Sequence, residues 1–457
     1  MNSPKYSVYI PCRNYGDYVA EAIESVLRQT ETDWEILIID DGSTDHTAAA
    51  IGPYRDAPNI SVHNTGGIGL PKVCNYALRH ARGKYIIRLD GDDVFDENIL
   101  LVLGRQLDAD PQLALVFPDY YLMDGSGNVF AHERRRRLYR EDHMLDLPPN
   151  GACILARRDI LLELGGYRED LGAQDGVDLW TRIRETHKCG NVNLPLYFYR
   201  RHDANLTGNN SFILSARRQI KLDAAEERLK GLRPVIAVIP CRRHYDFAKD
   251  LWSEPLGTDT MLGNDIRACL GSKLIDHVVV ACDNPEAEEV VRSFKDDRVH
   301  FCLRDAADTI RSVSLVPTLE KAVRPLDPQM EGIVLIRYFQ TPFVSAETID
   351  EAVTTLAMND ADSAVGVTEI KEQSLFVRDR FGLRPLYLAD SYMGGQGFYS
   401  DARTCVATRS SIIARGSLVG PRVASFVISP IESFFIGDPD NLRIARMVVR
   451  SRDGGAA

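Results

Sequence analysis

Tyr6-Ser7-Val8-Tyr9-Ile10-Pro11-Cys12-Arg13 opens on a short apolar run that gives way to a polar loop. Tyr6 to Ile10 reads as a strand, and the residues after it set the fold. Val19, Ala22, Ile23, Val26 and Leu27 recur at i, i+3, i+4, i+7 and i+8, the stripe of an amphipathic crossover helix with Asp17 available as its N-cap. The next strand candidate is Glu35 to Ile39, followed by Ile60 to His63. A second stripe (Leu70, Val73, Cys74, Ala77, Leu78, Ala81) leads to Tyr85 to Leu89, and a further strand runs Leu113 to Phe117. Strands alternating with helices in this way make βαβ units and a largely parallel sheet.

The opening motif has an echo. Ile239-Pro240-Cys241-Arg242 repeats Ile10-Pro11-Cys12-Arg13 at an offset of 229 residues (239 − 10). It follows a second first strand, Val235 to Ile239. After it come His277 to Ala281, Arg298 to Cys302, Ile333 to Ile336 and Ser363 to Thr368, with a helical segment at Ala346 to Met358. Between the halves, a polar loop (Thr207 to Ser211) and a charged helical stretch (Ala216 to Lys230) end at Gly231 and Pro234. The expected organisation is a domain over 1–205, a helical linker over 206–233 and a second α/β domain over 234–457. Ligands of open α/β sheets bind at the carboxyl ends of the strands, so both copies of the motif stand where a nucleotide would sit.

At 457 residues the chain exceeds one compact core. A 44% hydrophobic and 26% charged composition excludes collagen, a disordered tail protein and a small disulfide scaffold. With 54 Lys and Arg against 65 Asp and Glu, the formal charge of −11 argues against a general nucleic-acid surface. The nine cysteines are scattered without a CxxC pair, so neither a zinc site nor a disulfide framework is expected, only reduced, mostly buried thiols. No window approaches a membrane span of about 20 apolar residues. The N-terminus runs straight into Tyr6 without room for a secretory signal, which makes the cytoplasm the expected compartment.

Two acidic loops close strands. Asp90-Gly91-Asp92-Asp93 packs carboxylates so closely that a hard cation, Mg²⁺ or Mn²⁺, would relieve them. A capped turn uses the same residue types. Asp40-Asp41-Gly42-Ser43-Thr44-Asp45 can hold a nucleobase or ribose, or form an N-cap cluster for the helix starting near Thr47.

These loops carry a resemblance. Residues 5 to 205 or so resemble the family 2 glycosyltransferases of the GT-A fold, through Ile10 to Tyr15, Ser25 to Thr30, Ile39 to Asp45, Gly66 to Asn75, Leu89 to Asp93, Gly165-Gly166-Tyr167 and Gln174 to Trp180. The resemblance implies that Asp40 and Asp41, with Pro11 and Arg13 opposite, contact the donor base and ribose. It implies further that Asp90 and Asp92 form the pair reaching ribose and the diphosphate-bound metal, that His202 completes the metal shell, and that Asp175 is the general base. A sugar hydroxyl must lose its proton as it attacks the anomeric carbon, the work of a carboxylate, and a cation must neutralise the departing diphosphate. Gln174 stands where many relatives carry a second acidic residue, which makes Asp178 a rival base. Its other reading is an exposed carboxylate in the first turn of a helix. The run Arg134 to Arg137, with Arg140, is either a solvated face or a binder of carboxylate or phosphate.

Residues 234 to about 450 resemble the cytidylyltransferases that make CMP-activated acidic sugars, through Val238 to Arg242, His277 to Asp283, Arg304-Asp305, Ala361 to Val365 and Asp438 to Leu442. The departures fall where catalysis would be. The phosphate loop reads Arg243 to Asp250 without glycine, Tyr338 and Thr341 replace Gln and Ser, and Phe435 and Gly437 stand at metal-binding aspartates. Arg242, Lys249 and Arg304 are left as ligand candidates.

The fold class expected is therefore α/β, two tandem Rossmann-like nucleotide-binding domains, a GT-A fold followed by a cytidylyltransferase-like fold. The function expected is metal-dependent inverting glycosyl transfer, with Mn²⁺ or Mg²⁺, from a nucleotide-sugar donor to a glycan or glycoconjugate acceptor, with an inactive second domain that mediates a homodimer. Two alternatives stand beside it: a bifunctional enzyme that makes a CMP-activated acidic sugar and transfers it, and an inactive binding or assembly module.

Overall fold

The computed structural model describes residues 3–134, 151–171, 175–202, 210–310, 312–370, 375–379, 382–387 and 398–453. The chain divides into two compact units, Met1–Ile220 and Lys221–Ala457.

In the first unit, β1 (Tyr6–Cys12), β2 (Trp34–Asp40), β3 (Ile60–Asn64) and β4 (Tyr85–Arg88) are parallel and lie in the order β3-β2-β1-β4. Helices α1 (Val19–Leu27), α2 (Thr47–Ile51) and α3 (Leu70–His80) fall between successive strands. Because side chains alternate along a strand, β1 sends Val8 and Ile10 into one core and Tyr9 into the other. Both faces of β1 are thus covered, which is why its sequence is nearly all apolar.

Beyond β4 the sheet becomes mixed. The further strands are β5 (Val94–Phe95), β6 (Leu113–Met123), β7 (Val129–Glu133), β8 (Leu155–Arg157) and β9 (Lys188–Arg200), and the order continues β4-β8-β6-β9-β5. Helices α4 (Ile99–Ala109), α5 (Arg158–Glu163) and α6 (Asp175–Thr186) complete the unit.

The second unit begins within α7 (Asn210–Leu229) and repeats the parallel core. Its strands are β10 (Val235–Pro240), the small antiparallel pair β11 (Pro255–Leu256) and β12 (Asp259–Thr260), then β13 (His277–Cys282), β14 (Val299–Leu303), β15 (Ile333–Arg337), β16 (Ser363–Ile370), the antiparallel pair β17 (Leu375–Asp379) and β18 (Gly382–Tyr387), β19 (Phe398–Arg409) and β20 (Val423–Val427). The main sheet runs β14-β13-β10-β15-β19-β16-β20, parallel through β15 and antiparallel at β19. Ser345 caps the helix Ala346–Met358 by accepting from the Thr348 amide. The last turns of α7 belong to this unit's core, where Ala225 and Leu229 are buried.

Two local expectations need correction. Asp17 does not cap α1: Tyr18 holds the N-cap position without a side-chain bond, and Asp17 pairs with His46 at 3.2 Å. β6 runs past Phe117 to Met123, because irregular pairing with β9 around Pro118 and Asp119 lets the strand absorb a proline. All nine cysteines are free, and every one but Cys302 is fully buried. Among the described residues no helix is long and apolar enough to cross a membrane.

Candidate functional site

The first motif ends a strand and then binds its neighbour. Asn14 takes a left-handed conformation (φ 59°) that carries the chain back over the end of β2. Its amide donates to Ser43 Oγ at 2.9 Å, its side-chain oxygen accepts from the Thr44 amide at 2.8 Å, and the Gly16 amide donates to Asp45 Oδ2 at 3.0 Å. Pro11 is buried opposite Ile39, and Arg13 projects into solvent. Asp40 Oδ1 accepts the amide of Ser43, three residues on, at 2.9 Å, which tightens the loop.

Asp41 is occupied by the protein itself. Its Oδ1 accepts from Thr65 Oγ1 (2.7 Å) and the amides of Gly67 (3.0 Å) and Ile68 (2.7 Å), and its Oδ2 from the Gly69 amide (2.8 Å). Burial pushes this carboxyl up, but the Thr65 hydroxyl and the three amides outweigh it and hold Asp41 below the ordinary carboxylate range. Asp41 therefore organises the loop that leads into α3. The N-cap position of α2 is held by His46 without a side-chain bond, and Asp45, one residue earlier, accepts the Thr47 amide at 2.9 Å.

The second acidic loop divides its carboxylates by partner. Asp90 faces Arg88, with Nε 3.0 Å from Oδ1 and Nη2 3.4 Å from Oδ2. Asp92 faces His202, Oδ2 to Nε2 3.0 Å. Asp93 is fully enclosed, accepting the Arg200 amide at 2.7 Å and the Tyr197 hydroxyl. Burial raises Asp93 well above the ordinary carboxylate range, and the charges of Asp92 and Asp90 push it the same way. His202 arrives from the end of β9, stacked on Tyr18 (ring centroids 5.3 Å) and edge-on to Tyr15 (6.3 Å).

Arg200 holds this edge together. It is 2% exposed, donates Nε to the Asp92 carbonyl at 2.8 Å, pairs with Glu21 at 2.6 Å and lies 4.9 Å over the Tyr18 ring. Tyr15, Tyr18 and Arg200 were not singled out from the sequence. Their signal was available, since Tyr15 closes the first motif and Arg200 stands two residues before His202.

A divalent cation fits the donor set at Asp92 and His202. One carboxylate and one imidazole meet across a hydrogen bond whose proton a cation replaces, and Mg²⁺ or Mn²⁺ takes its remaining positions from phosphate oxygens and water. Among the described residues no group of three or more His, Cys, Asp or Glu side chains converges, so phosphate would have to complete the shell.

Asp175 is the first residue of α6, and its side chain lies outside the described residues. Arg135, Arg136, Arg137 and Arg140 lie outside them as well, while Arg134 is exposed. Asp178 departs from the reading as an exposed carboxylate. It is 3% exposed, meets Arg182 through both Nε (2.9 Å) and Nη2 (2.7 Å), and has Arg168 Nη1 at 3.9 Å. Arg182 in turn donates to the Leu164 and Gly166 carbonyls, so this pair locks α6 to the Gly165-Gly166 turn.

In the second unit the loop Arg243–Asp250 closes on itself. Asp250 (φ 51°) donates its amide to the Arg243 carbonyl at 2.7 Å, and the Tyr245 amide reaches the Ala248 carbonyl at 2.8 Å. Arg242 stacks 4.8 Å over Tyr245, and Lys249 is exposed. Arg304 is buried, donating to Thr318 Oγ1 (3.1 Å) and to the carbonyls of Cys241 (2.8 Å) and Asp308 (2.7 Å). Its guanidinium is committed to fold contacts, which removes it from the ligand candidates. Thr341 is fully buried and accepts from Arg337 Nη1 at 2.7 Å, and Phe435 lies under Arg403 at 6.0 Å.

The comparisons agree with this division. Residues 7–165 match the model of the family described as glycosyl transferase family 2, and residues 253–400 the cytidylyltransferase model. A chondroitin synthase of Escherichia coli is 28% identical over 205 residues, 44% of this chain and 30% of its own length. The glycosyltransferase GlyG of Streptococcus pneumoniae serotype 4 is 34% identical over 134 residues, 28% of this chain and 42% of its own. The chain thus spans less than half the length of either relative. A solved CMP:2-keto-3-deoxy-manno-octonic acid synthetase complexed with CTP is 13% identical, covering 48% of this chain and all of its own, at a TM-score of 0.37. The chain carries a glycosyltransferase family 2 domain followed by a cytidylyltransferase-like domain.

Proposed function

We propose that the protein is a metal-dependent inverting glycosyltransferase that moves a sugar from a nucleotide-sugar donor to a glycan or glycoconjugate acceptor. The observation that carries the reading is the Asp92–His202 contact at 3.0 Å, set beside Asp90 at the carboxyl end of β4 within the matched family 2 segment. Asp92 and His202 would hold Mn²⁺ or Mg²⁺, which neutralises charge on the departing diphosphate. Asp90, with Asp40, Pro11 and Arg13 at the neighbouring strand ends, lines the donor side. Asp175, at the start of α6, is the general base that takes the acceptor hydroxyl's proton as that oxygen attacks the anomeric carbon from the face opposite the diphosphate.

The second unit is proposed as a non-catalytic binding or pairing domain, the surface through which a homodimer forms. The self-closed Arg243–Asp250 loop, the buried Arg304 and the phenylalanine at 435 support that reading, since the loop's amides bond its own carbonyls, Arg304 is committed to fold contacts and a phenyl ring cannot ligate a cation. Arg242 and Lys249 are its remaining ligand candidates.

The test is a thermal-shift screen of the intact chain with UDP, GDP, dTDP, CDP, CMP and CTP, with and without Mn²⁺. One nucleoside diphosphate is expected to raise the melting temperature only with the metal, and Asp92→Ala is expected to abolish that shift. A shift with CTP alone, or none with any diphosphate, overturns the reading.

A further inference from the structure

Arg88 is a charged residue on a strand buried on both faces. Its side chain is 7% exposed, and in the β1–β4 register it lies opposite Tyr9. Removing a guanidinium from water costs several kcal/mol unless acceptors surround it, so its partners say what it is there for. Among its partners, Asp90 forms an ion pair with Oδ1 3.0 Å from Nε and accepts from Nη2 at 3.4 Å, while Nη1 donates to Cys74 Sγ at 3.7 Å.

The nitrogen that donates to Asp90 also faces glycine. Arg88 Nη2 lies 3.3 Å from where a Cβ on Gly151 would stand, and that Cβ would be 3.4 Å from the Gly176 Cα. A Cβ on Gly176 would approach the Gly151 Cα to 2.9 Å, closer than real side chains come. Gly176 directly follows Asp175 in α6. Tyr9, Arg88, Gly151, Tyr167 and Gly176 line one small cavity here, across which the Tyr9 and Tyr167 hydroxyls share a hydrogen bond of 3.0 Å. Two glycines in contact bring the first turn of α6 down onto the guanidinium that holds Asp90.

We propose that Arg88 is a positioning residue that sets the Asp90 carboxylate toward the donor and, through the Gly151–Gly176 contact, fixes the start of α6 relative to it. The inference rests on the glycosyltransferase reading. Arg88 touches neither donor nor acceptor in it. Donor-side and acceptor-side groups are thereby referred to one rigid guanidinium, which suits a reaction that tolerates about 1 Å of misplacement poorly.

The experiment is calorimetric titration of the full chain with UDP, GDP, dTDP and CDP in the presence of Mn²⁺. It is run on wild type, Arg88→Met, Asp90→Asn, the double variant and Gly151→Ala, with the melting temperature of each alongside. If Arg88 acts through Asp90, each single change weakens binding of the preferred diphosphate by about tenfold and the double change weakens it no further than about threefold beyond the worse single. Multiplicative losses in the double variant, about a hundredfold, overturn the proposal. Gly151→Ala keeps every charge and is expected to weaken binding through crowding of Arg88, which leaves a readout if Arg88→Met does not fold. Unchanged binding in Gly151→Ala overturns the link to α6. Wild type that binds none of the four diphosphates overturns the glycosyltransferase reading itself.

Discussion

Asp41 offers the sharpest test of how the first unit is held together. Three amide donors and one hydroxyl converge on its two oxygens, all between 2.7 and 3.0 Å. A hydrogen bond to a charged group contributes about 1.5 to 3 kcal/mol net when buried. Gly67 and Ile68 are exposed, so water replaces part of what is lost, and about 1 kcal/mol per bond is the better figure. Asp41→Ala should then destabilise the first unit by about 4 kcal/mol. Asp41→Asn keeps one acceptor for three donors but turns an NH₂ toward the Gly69 amide, losing one bond and opposing two donors, for about 2 kcal/mol. Urea unfolding followed by tryptophan fluorescence measures this, because Trp34 and Trp180 report the first unit once Trp252 is replaced by Phe. Two units unfold in two transitions, so only the first midpoint should move. An Asp41→Ala variant within about 0.5 kcal/mol of its parent refutes the reasoning. If Asp41→Asn lowered nucleotide affinity at unchanged stability, the carboxylate would belong to the donor instead.

Gly166→Ala should destabilise the first unit by about 2 kcal/mol by urea titration, since its φ of 73° disfavours a side chain and a Cβ would come within 2.4 Å of Asn75 Oδ1. In the second unit, Arg337→Met strands Asp265, which is fully buried 2.7 Å from that guanidinium, and should cost about 3 to 5 kcal/mol. A loss below about 1 kcal/mol would mean that the carboxyl is satisfied elsewhere. Burial pushes Glu432 up, but donors from Thr348, Ser345 and Ser429 outweigh it and hold it below the ordinary range. Its stabilisation is therefore present above the unfolded carboxyl's pKa and lost as pH falls through the lower folded value. Glu432→Gln should flatten the decline in melting temperature on acidification, and an unaltered acid limb would remove Glu432 from that role.

The parallel cores were legible because burial on both faces leaves a plain signature. β10 reads as an unbroken apolar run, and β1 and β2 as runs interrupted only by Ser7 and by Glu35 and the closing Asp40. Buried arginines escaped the sequence for the opposite reason, Arg304 being expected as a ligand contact and Arg200 and Arg337 not being singled out at all. Arg200, Arg304 and Arg337 are each buried with carbonyls and carboxylates drawn from distant segments, and single-sequence patterning sees a charge but not the acceptors that the fold assembles around it. Asp178 failed likewise: its first-turn position suggested solvent, while Arg182, one turn on, encloses it. At the site itself, Asp92 and His202 are 110 residues apart, and only the matched motif order brought them together before the structure did.

The helix Asn210–Leu229 spans the point at which the chain divides, yet its residues Ala225 and Leu229 are wedged into the core of the second unit. Any recombinant fragment of that unit must keep the helix residues that reach its core, Ala225 and Leu229 among them. A cut at 230 would strip two buried side chains from the remaining half and open an apolar trench for aggregation.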